Sequence, residues 1–258
     1  MKQLRRFYAP GSYRPQQTVI IKGREAHHIT RVLRMRPGDE LLVLDGSGAE
    51  FHGRIKQASP QEVIVTLLSR EESTPEPPVR VVLAQGIPKG DKLDLIIQKG
   101  TELGLSRLVP LSTPRSVVRP EPDWLEHRAE RWRRVAAEAA KQCRRSRLPE
   151  IDRVQTLEEA LRSIPSGALA LIPWEGEGES WLKDLLREKA DTPEVWIFIG
   201  PEGGWEPGEV AMAREAGVIP VTLGPRILRT ETAALALLSI LMYERGDMGE
   251  RKRETSDE

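Results

Sequence analysis

From residue 79 onward the chain alternates two textures. Short, nearly solid apolar runs, Val79–Gln85, Leu108-Val-Pro-Leu111, Ala168–Ile172, Val195–Ile199 and Val218–Leu223, are separated by longer stretches with apolar residues at helical spacing. A continuous run of five to seven apolar residues fits a strand buried on both faces. The stretch after the first run sets Leu93, Ile96, Ile97, Gly100 and Leu103 on one helix face, and Gly104 stops it. Asp123 is placed to cap a long helix whose Trp132, Val135, Ala136, Ala139 and Cys143 share a side, and Thr232–Tyr243 reads as an almost wholly apolar closing helix. Alternation of this kind predicts an α/β fold with a mainly parallel sheet covered by helices on both faces.

The first 70 residues have a different texture. Glu40–Leu44, Glu50–Lys56 and Glu62–Leu68 are short apolar or alternating runs, separated by the turn-forming Asp45-Gly-Ser-Gly48 and Ala58-Ser-Pro60. They predict a β-meander, with a short helix over Gly23–Leu33 closing one end of a small barrel-like domain. Residues 71–78, Glu-Glu-Ser-Thr-Pro-Glu-Pro-Pro, are charged and proline-rich, and mark a linker. The expected organisation is therefore a β-barrel-like domain over 1–70, a linker over 71–78, an α/β domain over 79–246, and a charged, disordered tail over 247–258.

Composition narrows the class. No segment approaches the roughly 20 apolar residues of a membrane span, and the basic N-terminus is not followed by the apolar run of a signal peptide. The single cysteine, Cys143, excludes an internal disulfide. A cytoplasmic protein with no membrane partner is expected. Net charge is zero overall, but residues 1–70 hold twelve Lys/Arg against six Asp/Glu, and the compensating acidic excess lies beyond them. Within the later part, Arg131–Arg147 holds seven basic residues and one acidic. Such asymmetry suits either a face that follows a phosphate backbone or two solvated faces of opposite sign.

Three loops at predicted strand ends stand out: Ile172-Pro-Trp-Glu-Gly176, Gly200-Pro-Glu-Gly-Gly204 and Leu223-Gly-Pro-Arg-Ile-Leu-Arg-Thr-Glu-Thr232. In an open parallel sheet ligands collect beyond the carboxyl ends of the strands, and glycines there let backbone groups face a ligand. Nucleotide signatures are missing: no Gly-x-Gly-x-x-Gly and no Walker loop, with Gly86-Ile-Pro-Lys-Gly-Asp-Lys92 wrongly spaced for one. No metal-ligand spacing occurs; adjacent His27 and His28 point about 100° apart on a helix.

The motifs Gln98-Lys-Gly-Thr-Glu-Leu-Gly104, Pro114-Arg-Ser-Val117, Glu138-Ala-Ala-Lys-Gln-Cys-Arg144, Ile199-Gly-Pro-Glu-Gly-Gly204 and Leu223–Ala233 come in an order that resembles the bacterial 16S ribosomal RNA uridine-N3 methyltransferases. Arg5-Arg-Phe7 and His27-His-Ile-Thr-Arg-Val-Leu-Arg34 match that family as well, so the resemblance runs from Arg5 to about Tyr243. It implies a small PUA/OB-like RNA-binding barrel followed by a SPOUT-type domain with a C-terminal trefoil knot. It also implies S-adenosyl-L-methionine as cofactor, 16S ribosomal RNA or the small subunit as partner, and a homodimer.

On that resemblance the cofactor would lie against Ile199, Gly200, Pro201, Glu202, Gly203 and Gly204 and against Leu223, Gly224, Ile227 and Leu228. Thr230 and Ala233 would sit beside it, and Leu171, Ile172 and Pro173 would form a further wall. Arg229 is the first candidate catalytic cation, with a phosphate clamp or loop-fixing donor as its alternative role. Glu231 is a candidate base, or simply an acidic residue favouring the helix dipole. Arg5, Arg6, Arg31, Arg34, Arg36, Arg115, Arg119, Arg144 and Arg145 form the candidate RNA track. A nucleotide-dependent enzyme of small-molecule metabolism and a non-catalytic ribosome-assembly factor stay open on the residues alone. So does the same chemistry on another RNA or base atom.

Overall fold

The computed structural model describes residues 4–115, 122–177, 180–189 and 191–249. The chain forms two compact units, residues 1–76 with 137–148, and residues 77–136 with 149–258.

In the first unit, β1 (Arg6–Tyr8), β2 (Thr18–Lys22), β3 (Glu40–Leu44), β4 (Glu50–Ala58) and β5 (Glu62–Glu71) form one sheet in the order β1-β3-β4-β5-β2. Only the β1–β3 pair is parallel. Period-two burial decides the faces: Val19 and Ile21 of β2, Leu41 and Val43 of β3, and Val63, Val65 and Leu67 of β5 all point into one core. Each such side chain contributes about 1.5–3 kcal/mol by leaving water. Two register shifts in β4, at His52/Gly53 and Ile55/Gln57, bend the sheet. The meander is the one expected, but β1 and β2 are its edges. They do not pair with each other among the described residues, so no strand ladder closes the barrel. The expected helix is α1 (Gly23–His27) running into a π-helical turn, His28–Val32.

Residues 137–148 bring charged groups into this unit. Tyr8 Oη donates to the Arg145 carbonyl at 2.7 Å, and Arg6 Nη1 reaches Glu50 at 2.7 Å and the Arg144 carbonyl at 3.1 Å. The Ser146 hydroxyl donates to the same Glu50 carboxylate, and the Arg145 guanidinium pairs with Glu76. Burial raises the Tyr8 phenol well above its ordinary pKa, so it acts as a neutral donor.

The second unit holds β6 (Arg80–Gly86), β7 (Arg107–Leu111), β8 (Glu150–Ile151), β9 (Leu169–Pro173), β10 (Glu194–Ile199) and β11 (Ile219–Val221) in a wholly parallel sheet ordered β11-β9-β10-β6-β7-β8. Its helices are α2 (Lys92–Glu102), α3 (Pro122–Cys143, whose later residues belong with the first unit), α4 (Leu157–Arg162), α5 (Leu182–Glu188), α6 (Pro207–Glu215) and α7 (Thr230–Glu244). Alternate residues of the central strands feed two cores. Val81, Leu83, Val195 and Ile197 meet α2, α5 and α7, whereas Val82, Ala84, Trp196 and Phe198 meet α4 and α6. This is why these strands read as solid apolar runs. α4 and α6 each begin with a capping box, Thr156/Glu159 and Glu206/Glu209.

Strands β6, β7 and β8 step outward in one direction. The chain then returns to β9, inserts β10 between β9 and β6, and ends with β11 outside β9. That reversal sets the carboxyl ends of β6, β9, β10 and β11 side by side. No described helix is long and apolar enough to cross a membrane.

Candidate functional site

A cleft of about 770 Å³ opens beyond those strand ends, lined by the loops after β9, β10 and β11 together with Lys92, Trp181 and Ala233. Its size falls within the range of small-molecule sites. Two glycines have backbones that other residues adopt only at a cost. Gly204, at φ +67°, closes a turn by donating to the Pro201 carbonyl at 2.9 Å, and Gly224, at φ +106°, donates to Thr222 Oγ1 at 3.2 Å. A Cβ at either would meet no atom within 4 Å, so conformation rather than crowding demands glycine there.

The loops are fastened to one another. Thr230 Oγ1 donates to the Gly200 carbonyl at 2.6 Å, joining the start of α7 to the loop after β10. Gln85, fully buried at the end of β6, donates from Nε2 to Thr230 Oγ1 and to the Gly86 carbonyl, both at 2.9 Å. Glu202 accepts from Lys92 Nζ at 2.8 Å and from the Lys89 amide at 3.2 Å, tying down the loop between β6 and α2. Burial alone would raise the Glu202 carboxyl; the hydrogen bonds from Lys92 and the nearby amides outweigh it and hold the group below its ordinary pKa. Lys92 also lies 3.5 Å from Glu231. Its ammonium is raised above its ordinary pKa, chiefly by the bond to Glu202. Arg115 Nη1 donates to the Gly203 carbonyl at 2.7 Å and Nε to Glu206 at 3.4 Å.

Of the residues expected around the cofactor, Pro173, Ile199–Gly204, Leu223, Gly224, Ile227, Leu228, Thr230 and Ala233 line this cleft, and Arg229 lines it with them. Leu171 and Ile172 do not. Strand alternation turns one into each core, where both are fully buried, and only Pro173 reaches the opening. Ile227, which lines the cleft, is 85% exposed. Arg229 occupies the cap position of α7 with its side chain exposed and without a hydrogen-bond or ion-pair partner among the described residues. Glu231, in the first turn of α7, faces Lys92.

The arginine set divides. Arg5, Arg31, Arg34, Arg36 and Arg144 are exposed in the first unit. Arg145, only 7% exposed, is held by Glu76, and Arg6 by Glu50, so both guanidinium groups are already engaged in bracing the unit. Arg115 fastens the loop after β10. Arg119 lies outside the described residues. Sequence reasoning missed Gln85, Lys92, Trp181 and Trp205, whereas Trp174 lies in one of the three loops it singled out. Lys92 stood in a stretch dismissed as a failed phosphate loop, and its usable signal was only that this loop follows a strand.

Comparison with known proteins bears on this geometry. Residues 75–242 match the family model of an RNA methyltransferase domain, and residues 21–68 match that of an RNA methyltransferase PUA domain. The ribosomal RNA small subunit methyltransferase E of Bacillus subtilis is 35% identical over 89% of this chain and 93% of its own. Its counterpart in Synechocystis is 32% identical over 88% of this chain and 74% of its own. A crystal structure of the Neisseria gonorrhoeae ribosomal RNA small subunit methyltransferase E, bound to S-adenosyl methionine, superposes with a TM-score of 0.87 at 33% identity, covering 95% of this chain and 99% of that one. With strand-end loops, a glycine-shaped cleft and a PUA unit in family order, the chain belongs to the RNA methyltransferase family that includes the ribosomal RNA small subunit methyltransferases E.

Proposed function

We propose that this chain transfers the methyl group of S-adenosylmethionine to N3 of a uridine in 16S ribosomal RNA. One observation supports it most: a glycine-shaped cleft, fastened by Thr230–Gly200 and Gln85–Thr230, carries at its edge an arginine, Arg229, with no described partner. The cofactor, when bound, supplies a methyl group already activated by its sulfonium. The backbone of Gly200–Gly204 and Leu223–Leu228 would hold it, with Ile227 and Leu228 against the adenine and Pro173 as a further wall.

The remaining task is to make N3 nucleophilic, since it carries a proton at neutral pH. Removing that proton leaves negative charge on O2 and O4. Arg229 would face that charge; a positioned donor of this kind is worth about 10²–10³ in rate. Glu231 would accept the proton, with Lys92 orienting its carboxylate across 3.5 Å. Reach to N3 requires the uridine to be unpaired or flipped out of its stack.

Residues 1–70 would bind RNA through Arg5, Arg31, Arg34 and Arg36, with Arg144 joining them from the 137–148 segment of the same unit, 71–78 as the linker and 79–246 as the catalytic domain. The reading includes a trefoil knot among the C-terminal loops and a cytoplasmic site of action beside the ribosomal RNA. It also includes a homodimer formed on α7, whose outer side presents Ile240 and Tyr243, 38% and 69% exposed. Methylation of small ribosomal subunits, followed by nucleoside mass spectrometry, tests the assignment. 3-Methyluridine is expected; a ribose-methylated or carbon-methylated product would refute the N3 assignment.

A further inference from the structure

The rim of the cleft carries an unusual side chain. Trp181 lines it and is 52% exposed, although its backbone is fixed on both sides. The residue makes a parallel bridge to Thr222 just past β11, the Thr222 amide donates to the Ser180 carbonyl at 2.9 Å, and the Trp181 carbonyl accepts from Asp184 and Leu185 at the start of α5. The indole is thus an aromatic face on a rigid mount, with no ring partner among the described residues. A single exposed apolar residue is ordinary on a protein surface. Its place on the edge of the cofactor cleft, beside a loop that presents two cations, is what needs a reason.

That loop supplies Arg226 and Arg229, both exposed and without partners among the described residues. Elsewhere on the same rim one pair is neutralised: Glu177 accepts from Arg214 at 3.0 Å and from the Ser180 amide at 3.1 Å, and Arg214 lies 5.8 Å from the Trp174 ring. Glu175 is exposed and has no described partner. A carboxylate on the same rim as the indole disfavours a phosphate there and suits an uncharged base. Arg229 being turned to the target base in the proposed mechanism, Arg226 is the free cation that suits the phosphate beside the stacked base. An aromatic face with flanking cations is the combination that single-stranded nucleic acid selects, because every base has a π-face.

We infer that Trp181 is a stacking platform for an unpaired base adjoining the target nucleotide, with Arg226 holding the neighbouring phosphate. The inference rests on the reading of this cleft as the RNA methylation site. It assigns Trp181 to recognition of the RNA and not to the cofactor or to chemistry.

Methyl transfer from labelled S-adenosylmethionine to small ribosomal subunits lacking the modification tests it, with Trp181→Phe, Trp181→Leu and Trp181→Ala compared with the unaltered protein. Stacking predicts that Leu and Ala raise KM for the subunits about tenfold, within the range of a base–aromatic stack. In those variants kcat and S-adenosylhomocysteine affinity should stay within about twofold, and Phe should restore most of the loss. Leucine keeps apolar bulk without a π-face, so wild-type KM in that variant would overturn the stack. An equal loss of cofactor affinity in the alanine variant would place the indole in the cofactor wall, and a changed sedimentation coefficient would place it between chains; either overturns the inference. An unaltered protein that methylates no RNA would instead sink the reading beneath it.

Discussion

Two pairs of arginines have opposite fates. In the first unit Arg145 and Arg6 are drawn inside and bound by Glu76 and Glu50, with Tyr8 and Ser146 completing the network. At the cleft Arg226 and Arg229 stand exposed with no described partner. The difference lies in what each guanidinium offers. A buried, paired arginine fixes a backbone and has few donors left; an exposed, unpaired one keeps its donors for a ligand. Removing one member of a buried pair leaves its partner's charge stranded, whereas removing an exposed cation leaves the fold unchanged and alters only what binds or reacts.

The sharpest break of this comparison is Arg145→Ala. It leaves the part-exposed Glu76 without its cation and should cost about 1–3 kcal/mol in denaturant unfolding, while RNA affinity per folded molecule stays near wild type. A variant with unchanged stability and weakened RNA binding would return Arg145 to the RNA track. Arg229→Ala should do the opposite: turnover should fall about 10²–10³-fold, with the unfolding midpoint and S-adenosylhomocysteine affinity retained. Full activity there would end its catalytic assignment.

Gly203→Leu lies between the two cases. A Cβ at Gly203 would stand 3.0 Å from Arg115 Cβ and 3.3 Å from its Cδ, so a larger group must displace the side chain that fastens the loop. Cofactor affinity should fall about tenfold, roughly 1.4 kcal/mol, and unchanged calorimetric affinity would remove this loop from the site. The smallest effect should come from Arg54→Ala, which breaks a pair with Glu40 at 2.7 Å whose arginine is 56% exposed. Such pairs contribute about 0–1 kcal/mol, so a loss above about 2 kcal/mol would show that exposure is a poor guide to these arginines.

The same contrast explains what the sequence made legible. Strands β6, β9 and β10 were readable because burial on both faces makes them solid apolar runs, and α2 because its buried residues keep helical spacing up to Gly104. Strands β8 and β1, two and three residues long, carry too little pattern to be seen, whereas β2, a β-branched Thr-Val-Ile-Ile-Lys run with alternating burial, was legible and was not singled out. The loops after β10 and β11 were visible through their glycines. Gln85 and Lys92 were not, because their roles depend on β10 being inserted beside β6, a consequence of the chain crossover that leaves no local trace. Nor could the sequence separate Arg144, exposed, from Arg145, buried. The two adjacent arginines part where the chain turns at Arg144, whose φ is +66°.

The most direct test of the account is calorimetric titration of the folded protein, freed of copurified ligand, with S-adenosylhomocysteine. Saturable binding at about one site per chain, lost or weakened in Gly203→Leu and retained in Arg229→Ala, is the predicted result. A folded sample that takes up no ligand would contradict the assignment of the strand-end cleft to the cofactor, and with it the mechanism built on Arg229.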